Sequence, residues 1–357
     1  MSIKSTGKDA YFAASNSTQG FISYYEELFR SSRIGHIWAV KGGPGTGKSR
    51  FLKDVSDCAL AHGWSCEYIY CSSDPDSLDA VILAKEGTEC IALLDATAPH
   101  LFEPECPGAR EDIVNLGQFW DSRVLSFRQT EIERLNLEKR DAYRRAYRYL
   151  SGFGDMRANR DALVEPYIQR TKIAALAQKV LHDLPRGSAY SASPALVHSI
   201  GMRGEVGFDT YFCEAKEIYT VSDCHGAAQY FMMELGKLAS QKLQSVRISH
   251  DPVEAEKIDG LFFCERGIAF VVCREEECDY PHHCLAMRRF VDTASMKPIR
   301  RELRSIERIC RALRGEALDA LEKVREVHFR VENIYCDAMD FAAKEAFTKA
   351  FCEKLFN

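Results

Sequence analysis

A short glycine-rich run carries the clearest chemistry in this sequence. Residues 42–49 read GGPGTGKS and fit the Walker A pattern G-x-x-x-x-G-K-[ST]. Glycines let the backbone approach a phosphate chain closely and turn its N–H groups inward, and the N-terminus of a following helix attracts the same anion. We therefore predict that a nucleoside triphosphate is bound by Gly42, Gly43, Pro44, Gly45, Thr46, Gly47, Lys48, Ser49 and Arg50.

Two side chains of this run and one distant carboxylate have separate predicted roles. Lys48 can reach the β and γ phosphates as a point charge, and the Ser49 hydroxyl is placed to ligate magnesium. Such a magnesium site needs a carboxylate at the end of a neighbouring buried strand, and residues 89–95 (ECIALLD) supply Asp95. The predicted ligands are therefore ATP and Mg²⁺, with Lys48 and Asp95 catalytic and Ser49 and Asp95 holding the metal.

A second group of acids follows another predicted strand, residues 66–71 (CEYIYC). The carboxyl ends of parallel strands line the ligand crevice of an α/β sheet. Asp74, Asp76 and Asp79 are therefore candidates to position water, a second substrate or the metal, and Asp74 is the predicted catalytic one. The alternative is an Asx turn followed by a helix cap.

The elements that must position these residues are a strand and a helix. Residues 34–40 (IGHIWAV) form an apolar run directly before the glycines. After them, apolar residues recur on one helical face, which predicts a helix starting near Lys48. The order strand, glycine loop, helix is the one that a phosphate-binding loop requires.

Four segments resemble one protein family. KGGPGTGKS, CSSDPDSLD, LLDATAPH and PGAREDIVNLGQFWD are similar to the tandem P-loop ATPase family of Firmicutes-type bacteria, closely over residues 11–121 and more loosely beyond. The resemblance implies ATP binding with Lys48, Ser49 and Asp95 in the roles given above. It implies no particular physiological substrate.

That family carries a second P-loop, and a degenerate copy is legible here. Residues 222–230 (SDCHGAAQY) line up with residues 41–49 at a shift of 181, which puts Gln229 at the lysine position and Tyr230 at the serine position. A later strand aligns at a shift of 177 and puts Val272 at the position of Asp95. We predict that the second half keeps the fold and has lost the phosphate and magnesium chemistry.

The predicted architecture is α/β, with two P-loop NTPase-like domains of parallel sheets, each followed by a helical arm or hairpin. Residues 1–190 form the active domain with its helical extension, and residues 191–357 form the degenerate domain with long coiled-coil-like helices. Residues 184–207, rich in Pro, Gly and Ser, are predicted to be a linker between the halves.

Apolar residues three and four apart between positions 303 and 334 predict a coiled-coil seam. The seam must be buried against the first half's helices, the return helix at 341–356 or another protein. Gly315 offers the alternative of a break into a hairpin.

Composition limits the partners and the location. Lys plus Arg number 47 against 52 Asp plus Glu, so no global basic field exists to hold nucleic acid. The chain shows neither a signal peptide nor a long apolar span, so we expect a cytoplasmic protein without a membrane partner.

Fourteen cysteines are scattered along the chain, and we expect them to behave as small buried hydrophobic residues. One cluster has zinc-type ligands without a standard zinc spacing, and metal binding there stays open: Cys273, Cys278, His282, His283 and Cys284.

Three functions fit these features. The first is a Mg-ATP-dependent NTPase or molecular switch. The second is a nucleotide or small-molecule kinase whose acceptor lies near Asp74, Asp76 and His100. The third is a nucleotide-gated scaffold whose heptad helices bind a partner protein. No Glu follows Asp95, where many vigorous ATPases keep a water-activating base, and this favours the second and third functions over the first.

Overall fold

Two six-stranded sheets form the framework of the chain. The structure is a computed structural model that describes residues 2–4, 9–273 and 280–356. The strands up to the end of the first sheet are β1 (Ser2–Lys4), β2 (Ala10–Phe12), β3 (Ala14–Ser17), β4 (Gly20–Ser23), β5 (Ile34–Lys41), β6 (Ser65–Tyr70), β7 (Leu78–Ala84), β8 (Cys90–Asp95) and β9 (Glu111–Asn115). The later strands are β10 (Ser191–Pro194), β11 (His198–Gly201), β12 (Gly204–Phe208), β13 (Glu217–Ser222), β14 (Ser245–His250), β15 (Ile258–Phe263), β16 (Ile268–Val272) and β17 (His283–Ala286).

The helices connect the strands and link the halves. They are α1 (Tyr25–Phe29), α2 (Lys48–Ala61), α3 (Ser122–Phe127), α4 (Gln129–Val164), α5 (Arg170–Val180), α6 (Thr210–Glu214), α7 (Ala227–Gln241), α8 (Arg300–Cys336) and α9 (Phe341–Phe356). Within the described residues, no helix is both long and apolar enough to cross a membrane.

The two sheets have the same strand order, which confirms an α/β chain with an internal repeat. The first runs β2-β6-β7-β8-β5-β9 and the second β10-β14-β15-β16-β13-β17. The prediction of parallel sheets is wrong in one respect, because β7 and β15 run antiparallel to both of their neighbours. The connections on either side of β7, residues 71–77 and 85–89, are too short for the helical crossover of about a dozen residues that parallel neighbours need.

The predicted linker at residues 184–207 is wrong. Strands β10, β11 and β12 occupy most of its second part, and β10 pairs in parallel with β14 as the edge of the second sheet. Of the Gly and Pro residues that suggested a linker, Pro194 and Gly201 end β10 and β11, and Pro185 and Gly187 lie before β10. Short strands bounded by Gly and Pro resemble a linker in sequence.

Helices α4 and α8 pack along each other and join the two halves. All but one of the heptad residues of α8 are buried, among them Ala317, Val324 and Val327, so the seam is covered by a first-half helix, as one of the predicted alternatives has it. The helix is continuous through Gly315, so the hairpin alternative is wrong. A glycine on a helix surface costs about 1 kcal/mol, which the packed seam outweighs.

The short helices that follow these two long ones lie on the opposite halves. Helix α5 packs against α7, on the second sheet, and α9 packs against α2, on the first. The phenyl ring of Phe351 in α9 contacts both Phe51 and Trp38, with ring centroids 5.3 and 4.9 Å apart. Each half therefore contains a helix that follows the other half's sheet along the chain.

Candidate functional site

The predicted phosphate loop lies between β5 and α2. Helix α2 begins at Lys48, as predicted, and Gly47 before it has a φ of +78°. Gly45 has a φ of +73°. Both values lie in the left-handed region that L side chains rarely adopt, so these two positions require glycine.

The C-terminal end of α8 lies directly on this loop. A Cβ added to Gly45 would stand 2.5 Å from the carbonyl oxygen of Glu332, and one added to Gly43 would stand 2.7 Å from the ring of Tyr335. The Cys336 thiol donates to the Gly45 carbonyl over 3.3 Å. The loop and the helix end are therefore packed backbone to backbone.

The Glu332 side chain is part of the same contact. Burial favours its neutral form, but the His328 ring, Lys48 and the Gly45 amide outweigh burial and lower the pKa of the Glu332 carboxyl. The carboxylate of a residue from the second half of the sequence is thus stabilised by the loop lysine and by a loop N–H group.

Lys48 and Asp95 come together as predicted. The Lys48 ammonium donates to the carbonyl oxygens of Gly42 and Gly43, at 3.0 and 2.9 Å, and lies 3.5 Å from the Asp95 carboxylate. Strands β5 and β8 pair in parallel with Val40 opposite Asp95, so both groups stand at one edge of the sheet. Burial raises the pKa of Asp95, Lys48 opposes this, and the nearby Asp79 carboxylate adds to the rise.

Ser49 contacts the antiparallel strand. Its hydroxyl oxygen accepts a hydrogen bond of 2.9 Å from the N–H of Leu78, which leaves a second lone pair for a cation. Thr46 is buried and donates to the Gly43 carbonyl over 2.8 Å, while Pro44 is half-buried. Arg50 is 71 % exposed and pairs with Asp54 one turn further along α2, at 2.8 Å, so its head group is held by a carboxylate of its own helix.

Asp74 lies in a turn and is bound by the second half. Its carboxylate accepts from Arg203 Nε at 2.8 Å, and Arg203 Nη2 contacts Asp76 at the same distance. The Asp76 N–H lies 3.4 Å from Asp74 Oδ1, as in an Asx turn. A strand follows this turn, so the predicted helix cap is wrong. The carboxylate near Asp95 is that of Asp79.

Asp79 belongs to a cluster with Cys71 and His100, in which Asp79 and His100 are buried and Cys71 is half-buried. The His100 Nε2 atom lies 2.9 Å from Asp79 Oδ2, and one ligand atom from each of the three residues lies within 4.8 Å of the others. Burial opposes protonation of His100, but Asp79 outweighs it and raises the pKa of the imidazole. The Tyr25 ring stacks on His100 with centroids 4.8 Å apart.

Sequence reasoning missed Cys71 and Tyr25. Cys71 follows β6 directly, just as Asp95 ends β8, and this position at a strand end is the signal that could have identified it. Within residues 2–4, 9–273 and 280–356, the Cys71 cluster is the one group of three or more metal-type side chains. Of the metal cluster left open in the sequence, Cys278 lies outside the described residues, Cys273 is buried, and His283 and Cys284 are exposed in β17.

The second-half loop has a different register from the predicted one. The Gln229 side-chain oxygen accepts from the N–H of Ile258 at 3.2 Å, just as Ser49 Oγ accepts from Leu78, and the members of each pair stand 180 residues apart. Gln229 is therefore at the serine position and Ala228 at the lysine position, one residue earlier than predicted, because the loop is one residue shorter. The position of Asp95 holds Val272, as predicted, since Val221 pairs with Val272 as Val40 pairs with Asp95.

An internal carboxylate occupies the second-half loop. Asp223, at the position of Gly42, accepts hydrogen bonds from the N–H groups of Gly226 and Ala228, at 2.9 and 2.8 Å. A Cβ on Gly226 would meet the Asp161 carboxylate of α4 at 2.7 Å. The N-terminus of α7 is thus already supplied with negative charge.

Comparison with protein-family models, with curated proteins and with solved structures finds no match for this chain. Its function is therefore inferred from the geometry of the first-half loop and its surroundings.

Proposed function

We propose that this chain is a Mg-ATP-binding P-loop NTPase, of the tandem P-loop ATPase class that its motifs resemble, with the first half as the working site. The observation that carries the proposal is the meeting of Lys48 and Asp95 at the end of adjacent parallel strands, beside a loop whose Gly45 and Gly47 have positive φ. A lysine, a strand-end carboxylate and a glycine loop before a helix are the parts that phosphoryl-transfer sites of this kind use.

The residues fit both nucleotide and metal. The glycine loop and the N-terminus of α2 offer N–H groups and a positive dipole end to phosphate oxygens. Ser49 and Asp95 supply oxygen donors, which Mg²⁺ prefers, and the bound ion would neutralise charge on the transferred phosphoryl group. Lys48, held at the loop carbonyls, is the cation nearest to both.

The contact between α8 and the loop favours a nucleotide-controlled switch as a second candidate function. Glu332, Tyr335 and Cys336 touch the loop, so phosphate binding and the position of α8 are coupled through shared atoms. The scaffold alternative depended on heptad helices that could bind a partner protein. It loses this support, because the heptad seam of α8 already packs on α4.

The kinase alternative has less support. Asp74 and Asp76 are engaged by Arg203, and His100 is 5 % exposed and paired with Asp79. An acceptor substrate would have to displace one of these pairs. Phosphate release from ATP without added acceptor distinguishes hydrolysis from transfer.

The direct test is calorimetric titration with Mg-ATP of the Lys48→Ala chain. We expect binding to be lost, because the substitution deletes the loop's own cation against the phosphates. Lys53→Ala, an exposed lysine of the same helix, is the matched control and should bind as the parent chain does. Undiminished binding by Lys48→Ala would contradict the proposal.

A further inference from the structure

Three side chains from adjacent strand ends meet in the first half. Cys71 follows β6, Asp79 lies near the start of β7, and His100 lies in the loop after β8, and these strands are neighbours in the sheet. Because β7 is antiparallel, its first residues stand at the edge where β6 and β8 end. Asp79 is 6 % and His100 5 % exposed, and one ligand atom of each residue lies within 4.8 Å of the others.

The donor set selects the class of ion. Magnesium and calcium take oxygen ligands, whereas zinc takes thiolate sulfur, imidazole nitrogen and carboxylate oxygen together. We propose that Cys71, Asp79 and His100 form a binding site for a transition-metal dication of the zinc class. Three protein ligands leave one tetrahedral position open, as in zinc sites that bind water or substrate.

Two buried polar atoms beside the cluster have no partner in the part of the chain that the structure describes. They are His100 Nδ1 and the Tyr25 hydroxyl, which belong to the stacked ring pair. A buried polar group without a hydrogen bond costs about 1–3 kcal/mol. A hydrated ion at the cluster brings water into this site, and that water supplies the partners that the protein does not.

The second half supports the need for a cation at this place. Asp251 and Asp259 stand 180 residues after Cys71 and Asp79. There Asp259 is paired with the His198 ring at 2.7 Å, as Asp79 is with His100, and Asp251, at the position of Cys71, lies 3.3 Å from the Arg157 guanidinium. An organic cation thus accompanies the group that replaces the thiol. In the described part of the first half, Asp79 has His100 as its charged partner and neither Lys nor Arg bonds to Asp79 or Cys71.

Binding requires the Cys71 thiol to release its proton to solvent, since the thiolate is the ligand. The site needs neither the glycine loop nor Lys48. This proposal and the proposed nucleotide function therefore use different residues, and the two can fail separately.

Titration of the full chain with Co²⁺ alone, followed by absorption spectroscopy, tests the proposal. Cobalt bound by a thiolate gives a sulfur-to-metal charge-transfer band in the near ultraviolet. We expect one equivalent of Co²⁺ to produce this band and Zn²⁺ to displace it, because zinc binds more tightly at such sites. The Cys71→Ser chain should lose the band, and His100→Gln should bind Co²⁺ at least about tenfold more weakly.

Two matched variants make the result specific. Cys66→Ser changes a buried cysteine of β6, the strand that Cys71 follows, and should keep the band, as should Lys48→Ala. Circular dichroism establishes whether each variant is folded. If Cys71→Ser does not fold, the weaker Co²⁺ binding expected of His100→Gln is the test of the proposal. A chain that gives no band, or a band that survives both Cys71→Ser and His100→Gln, would overturn the proposal.

Discussion

The two glycine loops of this chain occupy equivalent places in the two halves but differ in the charge that they carry. Both connect a central strand to a helix, and both receive an acidic residue of a long helix, Glu332 on the first and Asp161 on the second. The first loop has Gly42 where the second has Asp223, whose carboxylate binds the second loop's own N–H groups. The second loop therefore differs from the first not only at the lysine position but also in carrying its own anion.

The clusters behind the loops differ in the same way. In the first half a thiol, a carboxylate and an imidazole meet, whereas the second half has an ion-pair network around Arg157. The second half therefore satisfies its buried charges with its own side chains. In the first half, the proposed nucleotide and the proposed metal ion would complete the loop and the cluster.

The largest expected effect is on stability, from the Arg157→Met chain. Arg157 Nε lies 2.5 Å from Glu254 and Nη1 lies 3.3 Å from Asp251. Its removal leaves the half-buried Asp251 carboxylate without its cation and the buried Glu254 carboxylate with Lys257 alone, which costs about 3 kcal/mol. Chemical denaturation measures the loss, and Arg145→Met, an exposed arginine of the same helix, should change stability by less than about 0.5 kcal/mol.

The same variant should change the acid sensitivity. Burial opposes ionisation of Asp251, but Arg157 and two backbone N–H groups outweigh it and lower its pKa. A folded-state pKa below the unfolded value of about 3.9 gives stability that is present above that pH and lost as the pH falls through the folded pKa. Arg157→Met should lose less stability on acidification than the parent chain, and an unchanged acid profile would count against this origin.

The next effect separates the two loops. Gly45→Ala and Gly226→Ala both place a side chain at positive φ, which lowers the folding stability by about 1 kcal/mol in each case. The Gly45 methyl also meets the Glu332 backbone, which must move, whereas the Gly226 methyl meets the end of a flexible Asp161 side chain. We expect Gly45→Ala to cost about 2–3 kcal/mol and to weaken Mg-ATP binding at least about tenfold. Calorimetry should find ATP binding by Gly226→Ala unchanged, and equal effects of the two substitutions would remove the distinction.

A smaller effect is expected from Asp223→Ala. It deletes two hydrogen bonds at the N-terminus of α7, at a cost of about 1 kcal/mol. Vacating the loop should create no nucleotide site, because Ala228 and Val272 still replace the lysine and the metal carboxylate. A fluorescent ATP analogue titrated into the Lys48→Ala/Asp223→Ala chain should show no saturable binding. Magnesium-dependent binding there would mean that the second half is a working site.

The smallest effect on stability is expected at the turn. Arg203 and Asp74 are partly exposed, so breaking their pair should cost less than about 1 kcal/mol in either Arg203→Ala or Asp74→Asn. We expect Asp74→Asn to lower ATP turnover while sparing ATP affinity, since a carboxylate on the catalytic side acts on the attacking group. Arg203→Ala is the control for loss of the pair alone. If Asp74→Asn turns over ATP as the parent chain does, Asp74 has only its role in the turn.

The geometry of the first loop could be predicted from sequence because its determinants are local. Residues 42–49 fix their own conformation through glycine and the start of a helix, and Asp95 ends the strand that pairs with β5. Strand β7 itself was not among the predicted strands, and its antiparallel direction could not have been predicted, because an apolar strand reads alike in either direction. The predicted register was one residue off because an ungapped alignment cannot detect a shortened loop.

The Cys71 cluster could not be predicted for a different reason. Its members are 8 and 21 residues apart along the chain, at Cys71, Asp79 and His100, and only sheet order brings them together. No local pattern links a thiol at one strand end with an imidazole in a loop two strands away. The same holds for Glu332 and Cys336, whose contact with Gly45 depends on the path of α8.

The packing of α8 and α9 on the first half has a consequence for the order in which this chain can fold during synthesis. The apolar face of α2 receives Phe351 from α9, and the glycine loop receives the end of α8, so the first half is completed by segments translated long after it. During synthesis, the glycine loop is therefore made before the helix that covers it. A ribosome-bound chain that has not yet released α8 and α9 leaves the apolar face of α2 uncovered, and the loop reaches its final packing only when both halves have been made.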